Sequence, residues 1–461
     1  VGELEYACKE NRLSDLEGFG EKTQEKILLG IGMLKKYSER HLISTASESG
    51  QTLFEQVKNF PGVVRCEIAG SLRRRRETIK DIDILVSAAD ENREKIMDRF
   101  STLPEVEVVS GKGKTKTSVV LQSGMNADLR IVSDEQYPYA LHHFTGSKEH
   151  NVAMRGYAQK LNMKMNEYGL FRNETENIPC RTEAEIFGKL KMQYIPPELR
   201  ENYGEIEAAL GNEIPELVEQ KDLRGMIHCH SHYSDGANTV EEMARACREA
   251  GYEYLVISDH SKSAAYANGL SEERIRAQHR EIDELNGRLK DFRILKSIEC
   301  DILPDGRLDY SDEVLAGFDL VIASIHSKFK MTEEEGTRSV IRAMENPFVT
   351  IVGHPTGRLL LAREGYPIDM EQIIRTAADL QVSIELNANP HRLDIDWRLI
   401  KGSKDLGVKI SINPDAHRTE GIQDVKYGVG VARKGWLTKP DVLNCLSAEE
   451  LIRFAAKRRA G

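Results

Sequence analysis

Tyr254-Leu255-Val256-Ile257-Ser258-Asp259-His260 reads as a strand buried on both faces that ends abruptly in ionisable side chains. A half-exposed strand would alternate apolar with polar residues. Four consecutive apolar residues, bounded by polar ones, fit a parallel strand covered by helices instead. The same pattern recurs through the second half of the chain, at 226–227, 293–298, 320–323, 349–352, 382–386 and 408–412. Stretches with helical periodicity, such as 240–250 and 370–380, separate these runs. Seven apolar runs alternating with helices predict a β/α barrel. Almost every run is followed at once by His, Asp or Glu: His228 and His230, Asp259 and His260, Glu299, His326, His354, Asp415 and His417. Barrel enzymes place their chemistry at that end of the strands.

The rest of the chain is of another kind. At 461 residues it exceeds what one hydrophobic core organises, so at least two domains are expected. With 40% hydrophobic and 30% charged residues it has enough apolar material for several cores, yet no run approaches the roughly 18 apolar residues of a membrane span. Glu3, Glu5 and Lys9 break the order of a signal peptide, and the seven cysteines show no CxxC spacing. A cytoplasmic, monomeric chain with reduced thiols is predicted. The net charge of −10 is unevenly spread: residues 1–204 hold 30 Lys plus Arg against 31 Asp plus Glu, and the remainder 34 against 43. Histidine is lopsided too, four before Glu205 and nine after it. The metal-rich half is the second. Within the neutral first half, Arg73 to Arg76 and Lys112, Lys114 and Lys116 form basic runs of the kind that track phosphates.

In that first half, residues 21–36 carry Ile27, Leu28, Ile31 and Leu34 at helical spacing, just after the chain breaks at Gly18-Phe19-Gly20. Residues 67–69, 82–86, 118–121 and 127–132 read as strands of a small mixed sheet, with a helix near 93–100. Asp81-Ile82-Asp83 places two carboxylates on one strand face, as a two-metal site requires. An exposed acidic strand would look the same. Gly70-Ser71, Arg73, Arg74 and a third acid, Asp128, shift the balance by adding a phosphate-cradling turn, positive charge and another oxygen ligand.

These residues resemble the family X DNA polymerases, the nucleotidyltransferase-fold group that includes DNA polymerase beta. The resemblance rests on Gly70-Ser71-Leu72-Arg73-Arg74, Asp81-Ile82-Asp83, Asp128, Phe144-Thr145-Gly146-Ser147 with Asn151 and Arg155, and runs on through Phe171-Arg172 to about Tyr194. It implies that Asp81, Asp83 and Asp128 hold two Mg²⁺ ions and activate a primer 3′ hydroxyl. Gly70, Ser71, Arg74 and Arg40 would hold the triphosphate of a deoxynucleotide. Phe144 and Gly146, with His143 where the family has tyrosine, would face its sugar. Asn151 would reach its base edge and Arg155 the template. Lys80 stands where a glycine precedes the first catalytic Asp. The segment from Leu16 to Thr23 is similar to a helix-hairpin-helix, in which Gly18, Gly20 and Lys22 would meet DNA phosphates without reading sequence. The family pattern implies a further helical domain ahead of it.

The second half resembles the polymerase and histidinol phosphatase (PHP) domain. The motifs are His228-Cys-His230 with Asp235, Asp259-His260, Glu299-Cys-Asp301, His326, Gly353-His354-Pro355 and Asp415-Ala-His417. The resemblance implies one metal on His228, His230, Glu299 and Asp415, a second sharing Glu299 with His326 and His354, and a third on Asp235, His260 and His417. Manganese or zinc is the expected metal. His232 is expected to be exposed or to stand behind the ligands, and His279 and His391 to be core residues. The predicted architecture is thus α/β and multidomain: a helix-hairpin-helix over 1–37, a nucleotidyltransferase palm over 38–132, a nucleotide- and template-binding part over 133–204, a linker over 205–222 and a distorted (β/α)7 PHP barrel over 223–461. The predicted function is gap-filling DNA polymerisation for repair, with the PHP domain trimming 3′ ends. A PHP nuclease with a passive DNA-binding half, and a small-molecule phosphatase of the histidinol phosphate type, are the alternatives.

Overall fold

In the computed structural model, which describes Leu4, Cys8 and residues 21–37, 39–173, 175–327 and 330–460, the seven apolar runs are seven parallel strands. They are β6 (Gly225–Cys229), β7 (Tyr254–His260), β8 (Arg293–Asp301), β9 (Leu320–Ser324), β10 (Val349–Val352), β11 (Ser383–Asn387) and β12 (Ile410–Asn413), paired in sequence order. Six of the seven are buried at every position. That explains their lack of alternation. Ile227, Tyr254, Val256, Leu295, Leu320, Ile322 and Ile351 fill the core together with Leu443 and Leu451 of the C-terminal segment.

The ends of the sheet, β6 and β12, do not form a continuous ladder; a side chain spans the seam. Asn444 is fully buried, accepts from Ile412 N at 2.7 Å, and donates through Nδ2 to Ile412 O and to Gly225 O. At the other end His230 N donates to Ala416 O at 2.9 Å. The buried polar groups of two strand edges are thereby satisfied without an eighth strand.

The helices between strands start where the sequence offers caps. Helix Val240–Glu249 follows Thr239, which forms a capping box with Glu242, and buries Val240, Met243, Ala244 and Cys247 along one stripe. Helix Glu333–Glu345 repeats the device with Thr332 and Glu335, and helix Met370–Leu380 is capped by Asp369 on Gln372 N.

The first unit is built on a five-stranded mixed sheet of order β1-β2-β5-β4-β3: β1 (Val63–Ile68), β2 (Asp81–Ala88), β3 (Val106–Lys112), β4 (Lys116–Leu121) and β5 (Asn126–Val132). Only β2 and β5 run parallel. Strand β3, absent from the sequence reading, is an exposed edge strand with no buried alternation to reveal it. Helices α1 (Glu21–Tyr37), α2 (Ile43–Val57), α3 (Asp90–Ser101), α4 (Tyr137–Thr145) and α5 (Lys148–Lys160) belong to this part of the sequence.

The chain separates into two compact units, the second of which takes residues 148–154 and nearly everything from Phe187 onward. The linker expected over 205–222 is therefore built into the second unit. Its acidic and glycine content serves structure: Glu205 heads helix Glu205–Gly211, is fully buried, and accepts from Asn202 N and Tyr203 N while pairing with His150 Nδ1 at 2.6 Å. Further on, Val218 N donates to Leu437 O at 2.9 Å.

Candidate active sites

Strand β2 carries Asp81 and Asp83, and the parallel register sets Asp83 directly opposite Asp128 of β5. Period-two alternation turns all three toward one sheet face. Burial pushes the Asp83 carboxyl up to about 7, and the negative charges of Asp81 and Asp128 add to the effect. Three carboxylates share this face, and a cation is what relieves their repulsion. Part of that cation's work falls to the protein: Lys116 Nζ lies 2.6 Å from Asp128 Oδ2, and Ser118 Oγ donates to Asp128 Oδ1 at 2.6 Å. All donors are hard oxygens, which fits Mg²⁺.

The turn beside the triad needs its glycine. Gly70 has φ +63°, and a Cβ there would stand 2.3 Å from Asp83 Oδ2. The one-turn helix Gly70–Arg73 then presents Ser71 and its arginines. Arg74 donates to Thr145 O at 2.7 Å at the end of α4. Arg73, read from sequence as part of a phosphate-tracking run, instead forks onto buried Glu183 and reaches Thr145 Oγ1. Lys112 likewise pairs with Asp98. Arg73, Lys112 and Lys116, three of the seven residues in those two runs, thus pair with carboxylates of the chain itself.

Around the triad, Arg40 is anchored on Thr78 through Nε to Oγ1 at 2.9 Å, and Lys80 pairs with Glu39 at the surface. Phe144 lies under the Arg130 guanidinium at 4.3 Å, and the His143 ring meets it edge-on at 5.0 Å. Burial lowers the His143 pKa, so the imidazole is neutral at pH 7. Gly146 ends α4, and Asn151 and Arg155 lie one turn apart on α5. Of the expected DNA-contacting hairpin, Lys22 is exposed on α1, while Gly18 and Gly20 lie outside the described residues.

At the C-terminal mouth of the barrel the nine predicted ligands converge. Glu299 of β8 is the hub: its Oε1 lies 2.8 Å from His354 Nε2, 3.1 Å from His326 Nε2 and 3.3 Å from His228 Nε2, and its Oε2 lies 3.0 Å from His260 Nδ1. His230 Nε2 stands 3.2 Å from Asp415 Oδ1, and His417 Nε2 3.4 Å from Asp235 Oδ1. Three groups can each enclose one ion: His228, His230 and Asp415; His260, Glu299 and His326; and His230 and His260 with Asp235 and His417. His230 and His260 are therefore shared more widely than the motif pattern implied.

The donor chemistry fits metal. His230 Nδ1 and His354 Nδ1 are buried without a hydrogen-bond partner, a costly state for polar groups, and His228 Nε2 and His260 Nδ1 meet only the shared Glu299 carboxylate, at 3.3 and 3.0 Å. The charges are finely opposed. Burial resists a charge on His228, but Glu385, Glu299 and Asp415 override it and raise its pKa well above the usual value. Burial and the neighbouring His417 and His260 push His230 down to about 3.

Outer contacts aim the rings. His228 Nδ1 faces Glu385 Oε1 at 2.6 Å, and His326 Nδ1 faces Asp301 Oδ1 at 2.6 Å. Asp259 accepts from Ser231 N and Oγ, from Ser234 N and from Gln278 Nε2, pinning the loop between His230 and Asp235. Gly236 allows that loop to fold back, since a Cβ there would lie 2.8 Å from the His230 carbonyl. His228, His354 and Asp415 adopt positive φ values of 63°, 22° and 52°. Such backbone is unfavourable for these residue types and concentrates at functional sites. Glu385 was missed from sequence because it lies inside the run 382–386; an acid within a buried parallel strand was the available signal. His279 is half-buried against Phe318, His232 is exposed, and His391, expected in the core, is exposed in the loop after β11.

One chain thus carries a carboxylate triad on a mixed sheet and a histidine-rich barrel mouth whose side chains could hold metal ions. Residues 140–201 match the DNA polymerase beta thumb and residues 227–389 the PHP domain. Over 454 residues, 98% of this chain and 79% of the relative, the sequence is 42% identical to the DNA polymerase/3′-5′ exonuclease PolX of Bacillus subtilis (strain 168). The chain belongs to the family X DNA polymerases that carry a C-terminal PHP domain. The barrel half also resembles smaller proteins. It is 34% identical over 167 residues to a probable phosphatase of Acetivibrio thermocellus, covering 35% of this chain and 63% of that one. A probable phosphatase of Thermoanaerobacter sp. (strain X514) is 28% identical over 228 residues, 47% of this chain and 88% of the relative.

Proposed function

We propose that the chain is a DNA-directed DNA polymerase whose PHP domain removes nucleotides and blocking groups from DNA 3′ ends, a pairing that suits gap filling in base excision repair. The observation that carries this reading is the register of β2 against β5, which gathers Asp81, Asp83 and Asp128 on one face beside the Gly70 turn. Asp81, Asp83 and Asp128 hold two Mg²⁺ ions in this reading. When bound, these ions supply charge neutralisation at phosphate and activation of the primer hydroxyl. Ser71, Arg74 and Arg40 bind the triphosphate of the incoming deoxynucleotide, Phe144 and Gly146 pack its sugar with His143 alongside, and Arg155 meets the template. Gly18, Gly20 and Lys22 bind DNA phosphates in the same reading.

In the PHP domain His228, His230, Asp235, His260, Glu299, His326, His354, Asp415 and His417 hold manganese or zinc, which supplies a nucleophile and grips phosphate oxygens. Glu385 and Asp301 fix the ring tautomers of His228 and His326. No helix among the described residues is long and apolar enough to cross a membrane, and all seven cysteines are free. Free thiols suit a reducing compartment, and in this reading the chain acts in the cytoplasm, as a monomer on DNA. One gapped duplex bearing a labelled primer tests the assignment. Asp83→Ala is expected to abolish extension and retain 3′ hydrolysis, and His228→Ala the reverse. Loss of both activities in either folded variant would refute two separate centres.

A further inference from the structure

The rim of the barrel mouth presents an aromatic ring that the protein's own packing does not use. Tyr266 sits in the 3-10 turn Ala265–Ala267, just after β7, and is 71% exposed, the highest value for a large hydrophobic side chain among the described residues. Its ring lies 6.2 Å from that of His260, centroid to centroid. Desolvation, then the negative charges of Asp301, Glu299 and Asp235, hold its phenol above the usual tyrosine range, with Arg392 acting the other way. The side chain thus stands in the field of the cluster while most of its surface remains open.

The turn that carries it is fixed. Ser263 Oγ donates to Asp301 Oδ2 at 2.7 Å and Ser263 N to Asp309 Oδ2 at 2.6 Å. Lys262 N donates to Tyr310 Oη at 3.0 Å, and Leu270 N closes the far side on His260 O at 2.9 Å. A tyrosine on a rigid loop presents a flat apolar face at small entropic cost. Exposed aromatic area of this size is the kind of surface that single-stranded nucleic acid uses, because every base has a π face.

We propose that Tyr266 is the stacking platform for the 3′-terminal base of a DNA strand whose last phosphodiester lies among the barrel ligands. This rests on the 3′–5′ exonuclease reading of the same site and adds the element that recognises a nucleotide rather than a bare phosphate ester. Stacking is indifferent to base identity, so the platform accepts any terminal nucleotide but not one lacking its base.

The test uses the full chain in Mn²⁺ with three substrates: a 5′-labelled single-stranded oligonucleotide, the same strand ending in a tetrahydrofuran abasic unit, and bis(p-nitrophenyl) phosphate. Tyr266→Ala is expected to raise KM on the ordinary strand about tenfold, the order of one base–aromatic stack, with kcat little changed. The abasic strand and the small ester are expected to show no difference between variant and wild type, and Tyr266→Phe to behave as wild type. A binding readout accompanies it. In EDTA, a 3′-terminal 2-aminopurine is expected to be quenched by the wild-type chain and less so by Tyr266→Ala. An unchanged KM on the ordinary strand, or an equal loss on all three substrates, overturns the platform. If the wild type cleaves the small ester but leaves the oligonucleotide intact, the exonuclease reading fails and this proposal falls with it.

Discussion

Asp83 concentrates the tension of the polymerase centre. Its carboxyl is raised from 3.8 to about 7 by burial first and by Asp81 and Asp128 next. A carboxyl raised on folding stabilises the native state below its unfolded pKa, and that contribution is lost as pH climbs through about 7. Metal-free protein is therefore expected to melt at lower temperature at pH 8 than at pH 6, and Asp83→Asn to reverse much of that loss at pH 8. Mg²⁺ must displace the same proton, so the rise in melting temperature that saturating Mg²⁺ gives should be larger at pH 8 than at pH 6. Differential scanning fluorimetry across these pH values checks both; a variant that tracks wild type at pH 8 would remove the repulsion argument. Gly70→Ala belongs to the same residue pair. With φ +63° and only 2.3 Å to Asp83 Oδ2, it is expected to cut nucleotide addition by more than about tenfold by moving a metal ligand, measured against unchanged 3′ hydrolysis.

Strand β11 shows what an element does for the barrel mouth. Glu385 orients His228 through Oε1 and accepts from His354 N through Oε2 at 2.6 Å, and is itself held by Asn413 Nδ2 at 2.7 Å. Three strands are tied by one carboxylate. Glu385→Gln keeps the shape but puts an amide where His228 Nδ1 needs an acceptor; metal affinity of the barrel is expected to fall roughly 10- to 100-fold, read by zinc competition with a chromophoric chelator, while primer extension is unaffected. The barrel strands were legible because buried parallel strands are short apolar runs with ionisable ends, and every ligand but Asp235, which lies on a loop, stood within a few residues of a run. Glu385 was hidden within one. Strand β3 was hidden for the opposite reason: Val108 and Val109 are exposed on an edge, so no burial pattern marks them. The basic runs misled in part because proximity in sequence says nothing about partners such as Glu183, which lies 110 residues from Arg73.

At the scale of the whole chain, the two centres differ in ligand chemistry, and that difference is testable without separating them. The triad of Asp81, Asp83 and Asp128 is all carboxylate, whereas the barrel mouth combines six histidines with Asp235, Glu299 and Asp415. Hard oxygen donors suit Mg²⁺; imidazole favours Mn²⁺ or Zn²⁺. After bound metal is stripped with chelator, Mg²⁺ alone is expected to support primer extension with weak 3′ hydrolysis. Added Mn²⁺ should then raise hydrolysis far more than synthesis, and His228→Ala should remove only the added hydrolysis. Because DNA is held chiefly through phosphate contacts on this reading, both activities should weaken together as salt rises, with a downward slope in the double-logarithmic plot of affinity. That shared salt dependence separates a loss of DNA from a loss of metal, since His228→Ala should leave the slope unchanged. If the variant still trims ends in Mn²⁺, or Mg²⁺ alone drives full hydrolysis, the histidine cluster is not the nuclease and the exonuclease activity must be sought among the carboxylates of the first unit.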